Sequence, residues 1–130
     1  NSQMPQFCVA KVARALNSHR KALNGSRVLV AGVAYKANVN DTRESPALKV
    51  IELLRADGAL VEYHDPHVAA LPQQGLESVP LDAETIDAYD VVVVVTAHEA
   101  VDWEMVGRDA ALVVDLRNVV PGANGKVWRL

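Results

Sequence analysis

Lys36 and Arg43 lie seven residues apart in the stretch GVAYKANVNDTRESPAL, residues 32–48, which also carries Asn38, Asn40, Asp41, Thr42, Glu44 and Ser45. A lysine is a point charge on a flexible stem. An arginine is a planar fork suited to bidentate contact with phosphate or carboxylate. Ser45 ahead of Pro46 reads as a helix N-cap, and the free N–H groups at such an end favour an anion. Together these residue types suit a phosphorylated ligand. Further polar clusters follow other apolar runs: His64-Asp65-Pro66-His67, Thr96-Ala97-His98-Glu99 and Asp115-Leu116-Arg117-Asn118.

Plainer roles compete. Arg43 and Glu44 suit surface ion pairs equally well, and Asn40-Asp41-Thr42 suits a turn. His64 and His67 straddle a proline with no third ligand beside them, so no metal site is expected. His98 reads as a capping or packing residue, and Trp103 and Trp128 as packing residues. Cys8 has no histidine at a local motif spacing and reads as a buried, inert thiol. No catalytic residue is assigned.

The elements that position these groups alternate. Met4 to Leu23 reads as a helix, with Val9, Val12, Ala13 and Leu16 on one stripe and Asn24-Gly25 as its stop. Arg27 to Val33 reads as a buried strand. Ala47, Val50, Ile51 and Leu54 then repeat at helical spacing up to Gly58. Strands are predicted over Ala59–His64, Val91–Thr96 and Leu112–Asp115, with short helices over Asp82–Ala88 and Glu99–Val106. The proline-bearing segment Asp65–Leu81 reads as loop, with room for a short edge strand near Glu77–Val79. Alternation of this kind predicts an α/β fold: a doubly wound parallel sheet in a Rossmann-like three-layer sandwich, preceded by a linking helix. Ligands of such sheets gather at the carboxyl ends of the strands, where the polar clusters sit.

At 130 residues the chain is one domain in length, half hydrophobic and 22% charged. A net charge of −3 supplies no basic field, so neither nucleic acid nor an anionic membrane is an expected partner. A single cysteine points to a reducing, cytoplasmic setting. The start, NSQMPQF, suggests a piece of a longer protein. A G-x-G-x-x-G turn is missing, since only Gly32 follows the first strand, and no P-loop sequence occurs.

The stretch VLVAGVAYKANVNDTRESPALKVIELLRADGALVEYHDP closely resembles the C-terminal, UDP-binding domain of the UDP-glucose/GDP-mannose dehydrogenase family. The marks are GVAYK, then DTRESPAL, then YHDP closing the second strand and VVDLRN closing the last. MPQFCVAKVARALN is similar to the helix that leads into that domain. The finer likeness is to bacterial UDP-N-acetyl-hexosamine dehydrogenases. By this resemblance, residues 1–25 would be a linking helix from an upstream region and residues 26–130 the nucleotide-sugar-binding domain. The resemblance also implies that the whole protein would oxidise the C6 alcohol of a UDP-sugar to a carboxylate with two NAD per turn, in polysaccharide biosynthesis. An N-terminal Rossmann domain would hold the NAD, a central region would dimerise, and a nucleophilic cysteine upstream of Asn1 would do the chemistry. The isolated piece would be inactive, and monomeric or weakly dimeric. By the same likeness, Tyr35 and Lys36 match the family's substrate-contacting pair, Arg117 a second substrate contact, and Arg43 a residue that reaches the NAD. Lys36 and Arg117 are then expected to project from neighbouring strand exits of one sheet edge onto the two phosphates of a UDP-sugar. A rival reading stays open: a Rossmann-like scaffold for interdomain packing, without its own ligand, using Val9, Val12 and Leu16 as an exposed stripe.

Overall fold

A strand with valine at every position is apolar on both faces and has to lie between two covering layers. Strand β5, Val91–Val94, is buried throughout. In the computed structural model, which describes residues 3–123 and 125–130, β5 is the middle of a five-stranded parallel sheet. The others are β1 (Arg27–Ala31), β2 (Leu60–His64), β6 (Val113–Asp115) and β7 (Val127–Arg129). Their order is β2-β1-β5-β6-β7.

Successive strand residues point to opposite faces. Val28, Val30, Val91, Val93 and Val114 meet helices α1 (Met4–Ser18) and α2 (Pro46–Ala56) on one side. Leu29, Ala31, Val92, Val94 and Val113 meet Ile86 and helix α3 (Trp103–Asp109) on the other. The result is the three-layer α/β sandwich that the alternation predicts. No helix among the described residues is long and apolar enough to cross a membrane.

Several boundaries differ from expectation, each for a local reason. Helix α1 stops at Ser18 rather than Leu23. Arg20 takes a left-handed φ of 60°, and the N–H groups of Arg20 and Lys21 turn back to the carbonyls of Asn17 and Leu16. That is a glycine-free Schellman end. Val9, Val12 and Leu16 are buried in the domain's own core, so they form no exposed stripe. Residues 82–88 make only a single 3-10 turn at Ile86–Ala88. Asp82 holds the N–H groups of Glu84 and Thr85, and this side-chain bonding competes with a helix. Helix α3 begins later than expected because Asp102 caps it at the Met105 N–H, 3.0 Å away. The loop after β2 folds into a hairpin of β3 (Ala70–Leu71) and β4 (Leu76–Glu77), and Ser78 bridges to Tyr63 on the sheet edge. The edge strand expected near Glu77–Val79 is therefore real but starts at Leu76. Strand β7 was not expected from the sequence.

Topology corrects one expectation about the site. Lys36 and Arg117 do not leave adjacent strands, because β5 lies between β1 and β6. After β2 the chain crosses to the far side of β1, which makes the β1/β5 gap the switch point. Two strand spacings separate the two exits by about 10 Å.

Gly32 lies where β1 ends, with φ +89°, and a Cβ there would stand 2.6 Å from the Thr96 Cβ and overlap the Thr96 carbonyl oxygen. Gly32→Ala is expected to destabilise the domain by about 2–4 kcal/mol, combining backbone strain with overpacking. Urea unfolding would measure this, and a loss under about 1 kcal/mol would show that the β1/β5 exits can separate.

Candidate functional site

At the carboxyl end of the sheet, the β1, β2, β5 and β6 exits come together around buried polar groups. Asp65, directly after β2, is buried, yet its carboxylate is ringed by donors. Oδ2 accepts from the N–H groups of Val33 (2.8 Å) and Ala34 (3.1 Å) and from His98 Nε2 (2.8 Å). Oδ1 accepts from the His67 N–H at 2.8 Å. His98 is itself fully buried. Its Nδ1 lies 2.8 Å from the Asn38 N–H. An amide N–H only donates, so Nδ1 carries a lone pair and Nε2 carries the proton that goes to Asp65. The carbonyl of His98 in turn accepts from Trp103 Nε1 at 3.0 Å.

The segment between β1 and α2 is held at other points too. Thr96 Oγ1 donates to the Ala34 carbonyl at 2.8 Å. Ser45 caps α2 as expected, accepting from the Ala47 N–H at 3.2 Å. Ser45 is buried against Ala34, so its hydroxyl is committed to structure. The Asn38 side chain accepts from the Glu99 N–H at 3.0 Å, and Asn38 takes a left-handed φ of 65°, which asparagine tolerates. Tyr35 and Lys36 are left exposed between these ties.

Asp115, the last residue of β6, repeats the device. Its Oδ1 accepts from the N–H groups of Arg117 and Asn118 at 3.0 and 2.9 Å, and its Oδ2 from those of Val119 and Val120 at 2.8 and 2.7 Å. The curled loop leaves the Arg117 side chain exposed. Neither the Lys36 ammonium nor the Arg117 guanidinium has a hydrogen-bond or ion-pair partner among the described residues.

Arg43 is placed differently. With Tyr35, Asp41 and Glu44 it lines a shallow cleft of about 420 Å³. Its side chain is 88% exposed and pairs with Asp41 through Nε (3.1 Å) and Nη2 (2.9 Å). The Arg43 guanidinium holds the Asp41 carboxyl down at about 2, so the pair is ionised at neutral pH. Surface pairing, one of the two roles open to Arg43, is therefore present. The Nη1 edge remains available. Cys8 is buried and burial pushes its thiol up to about 12, which leaves it protonated and a poor nucleophile.

The UDP binding domain of the UDP-glucose/GDP-mannose dehydrogenase family matches residues 29–122. The chain belongs to this family. It is 31% identical over 125 residues to the UDP-N-acetyl-D-mannosamine dehydrogenase of Pyrococcus horikoshii, covering 92% of this chain and 28% of that protein. It is 28% identical over 130 residues to the UDP-glucose 6-dehydrogenase of Rickettsia bellii, covering 92% and 29%. Among solved structures, the UDP-D-ManNAc dehydrogenase of Pyrococcus horikoshii superposes with a TM-score of 0.81 at 27% identity, over 99% of this chain and 31% of that one. The NDP-N-acetyl-D-galactosaminuronic acid dehydrogenase of Methanosarcina mazei Go1 gives 0.83 at 25%, over 100% and 29%. The chain thus spans under a third of the length of these relatives.

Sequence reasoning found the cationic residues and the loops that carry them. It named Asp65 and Asp115 only as polar groups at strand exits, and it read His98 as a capping or packing residue without its partners. An aspartate at the carboxyl end of a strand, as in YHDP and VVDLRN, was the available signal that a buried acceptor closes each loop. Because both oxygens of Asp115 face N–H donors, an asparagine there turns its own donor toward two of them. Asp115→Asn is expected to cost at least about 2 kcal/mol in urea unfolding. A near-neutral result would mean that water already shares these bonds.

Proposed function

We propose that this domain binds the nucleoside diphosphate end of a UDP-sugar, within an NAD-dependent dehydrogenase that oxidises the sugar's C6 alcohol to a carboxylate. The observation that carries the reading is two cations without a partner among the described residues, Lys36 and Arg117, on loops that flank the β5 exit of a UDP binding domain. A diphosphate concentrates negative charge in a group a few ångströms long. Side chains as long as lysine and arginine can converge on it from exits about 10 Å apart. Tyr35, 53% exposed beside Lys36, offers an aromatic face to the nucleotide.

NAD would be held by the rest of the protein and would supply the hydride acceptor for both oxidations. From this chain Arg43 would meet the NAD pyrophosphate through the guanidinium edge that Asp41 leaves open. The neighbouring Asp41 charge limits that gain, so Arg43 is an assisting contact. The residues of this chain bind and orient, and none of them is assigned to the chemical step. The partners of the domain are then the UDP-sugar and the remaining domains of the protein. A cytoplasmic setting suits both the substrate and the cofactor, and the carboxylated sugar nucleotide suits polysaccharide biosynthesis.

Calorimetric titration of UDP tests the site. Lys36→Ala and Arg117→Ala are each expected to weaken UDP binding at least about tenfold, the scale of one charge-assisted hydrogen bond. Binding that ignores both substitutions would remove the site from these loops. In the full-length protein, Arg43→Ala is expected to raise the apparent KM for NAD about threefold to tenfold and leave the UDP-sugar KM nearly unchanged. An unaltered NAD dependence would assign Arg43 to its surface pair alone.

A further inference from the structure

Side chains that touch a ligand need something to hold them in place. Residues 32–44 include no helix or strand, and a loop without regular hydrogen bonds pays an ordering cost when a ligand fixes it. Part of this cost is met in advance: the Tyr35 N–H bonds the Asp41 carbonyl, Thr96 holds the Ala34 carbonyl, and two further anchors come from buried side chains. On the upstream side, Asp65 Oδ2 takes the N–H groups of Val33 and Ala34. On the downstream side, His98 Nδ1 takes the Asn38 N–H. One hydrogen bond, His98 Nε2 to Asp65 Oδ2 at 2.8 Å, joins the two anchors. Tyr35, Lys36 and Ala37 are the three residues between the anchors, and all three are exposed.

We infer that the buried Asp65–His98 pair is a positioning device for the substrate-binding pair Tyr35-Lys36. This rests on the nucleotide-binding role proposed for those residues. The chemistry of each partner suits the task. An ionised carboxylate accepts only, so it draws in donors and cannot be satisfied by an alternative loop that turns carbonyls toward it. A histidine whose Nε2 proton is committed to Asp65 presents a bare Nδ1, which selects an N–H from the loop and fixes its register. The Asn38 side chain returns a bond to the Glu99 N–H, so loop and β5 exit grip each other reciprocally. His67 stacks edge-on against His98 with ring centroids 4.7 Å apart, and its own N–H is held by Asp65. The imidazole therefore has little freedom to rotate and release the loop.

The two ends of His98 can be separated by substitution. His98→Asn keeps an acceptor near the Nδ1 position, whereas His98→Gln keeps a donor near Nε2 and loses the grip on Asn38. Asn38→Gly keeps the left-handed backbone at no steric cost and removes only the tie to Glu99. It lies on the exposed side of the loop and leaves the Asn38 N–H on His98 Nδ1, so it probes only the reciprocal tie. If a buried replacement fails to fold, amide hydrogen exchange of the Asn38 N–H in the parent carries the test, because the grip predicts a protected amide before UDP is added.

The experiment is a set of double-mutant cycles in the full-length protein, with UDP as the probe and calorimetric Kd as the readout. With Lys36 present, His98→Gln is expected to raise the UDP Kd about tenfold and Asn38→Gly about threefold, with His98→Asn closer to the parent. In a Lys36→Ala background the same substitutions should change the Kd less than about twofold, because the lysine they misplace is gone. A role confined to stability predicts equal losses in both backgrounds. Equal losses, no loss in a folded His98→Gln protein, or an unprotected Asn38 amide in the parent would overturn the positioning role while leaving the nucleotide-binding role intact. A Lys36→Ala protein that binds UDP as the parent does would overturn the positioning role together with the part of Lys36 in the nucleotide site.

Discussion

An ionised carboxylate leaves water only if donors replace the water it loses. This domain uses that constraint twice, at Asp65 and at Asp115, each at the carboxyl end of a strand and each surrounded by N–H groups. The cost of burying each charge is offset by bonds that only one loop conformation supplies. Each aspartate therefore specifies the path of the chain as it leaves the sheet. Lys36 and Arg117 are carried on those paths, and both end up exposed, one on each side of the β5 exit.

The rest of the fold serves as a rigid frame for those exits. Valines on both faces of β5 lock the sheet between α1 and α2 on one side and α3 on the other. Gly32 permits the close approach of the β1 and β5 exits that lets Thr96 bond the Ala34 carbonyl. Backbone strain is concentrated at the same end of the sheet. Asn38, Glu44 and Asn118 all take left-handed φ values, of 65°, 61° and 59°. For Glu44 this costs on the order of 1 kcal/mol and is sustained by the turn around it. The strained glutamate lines the same cleft as Arg43 and Tyr35, so the loop conformation is retained despite a local penalty.

Legibility in the sequence followed the strength of local signals. β1, β2, β5, β6 and α2 were readable because apolar runs and a Ser-Pro start have one simple structural interpretation. Helix α1 was read too long, since nothing in His19-Arg20-Lys21 announces a left-handed residue. β7 was missed because three residues, Val127 to Arg129, carry no period of their own and become a strand only beside β6. Placing the β1 and β6 exits side by side was an error of the same kind. Strand order depends on which edge a crossover reaches, and no single segment encodes it.

Taken alone, the sequence determined that parallel strands alternate with helices, that cations follow strand ends, and which family motifs they lie in. These are properties of neighbouring residues, set by periodicity and residue type. Only the tertiary structure decided that Lys36 and Arg117 flank β5, that Arg43 pairs with Asp41, and that Asp65 and His98 grip the loop around Tyr35-Lys36. The hydrogen bonds of that grip join residues 31 to 60 positions apart. Their partners are chosen by which groups burial leaves in need of a bond, and that need does not exist until the sheet has formed.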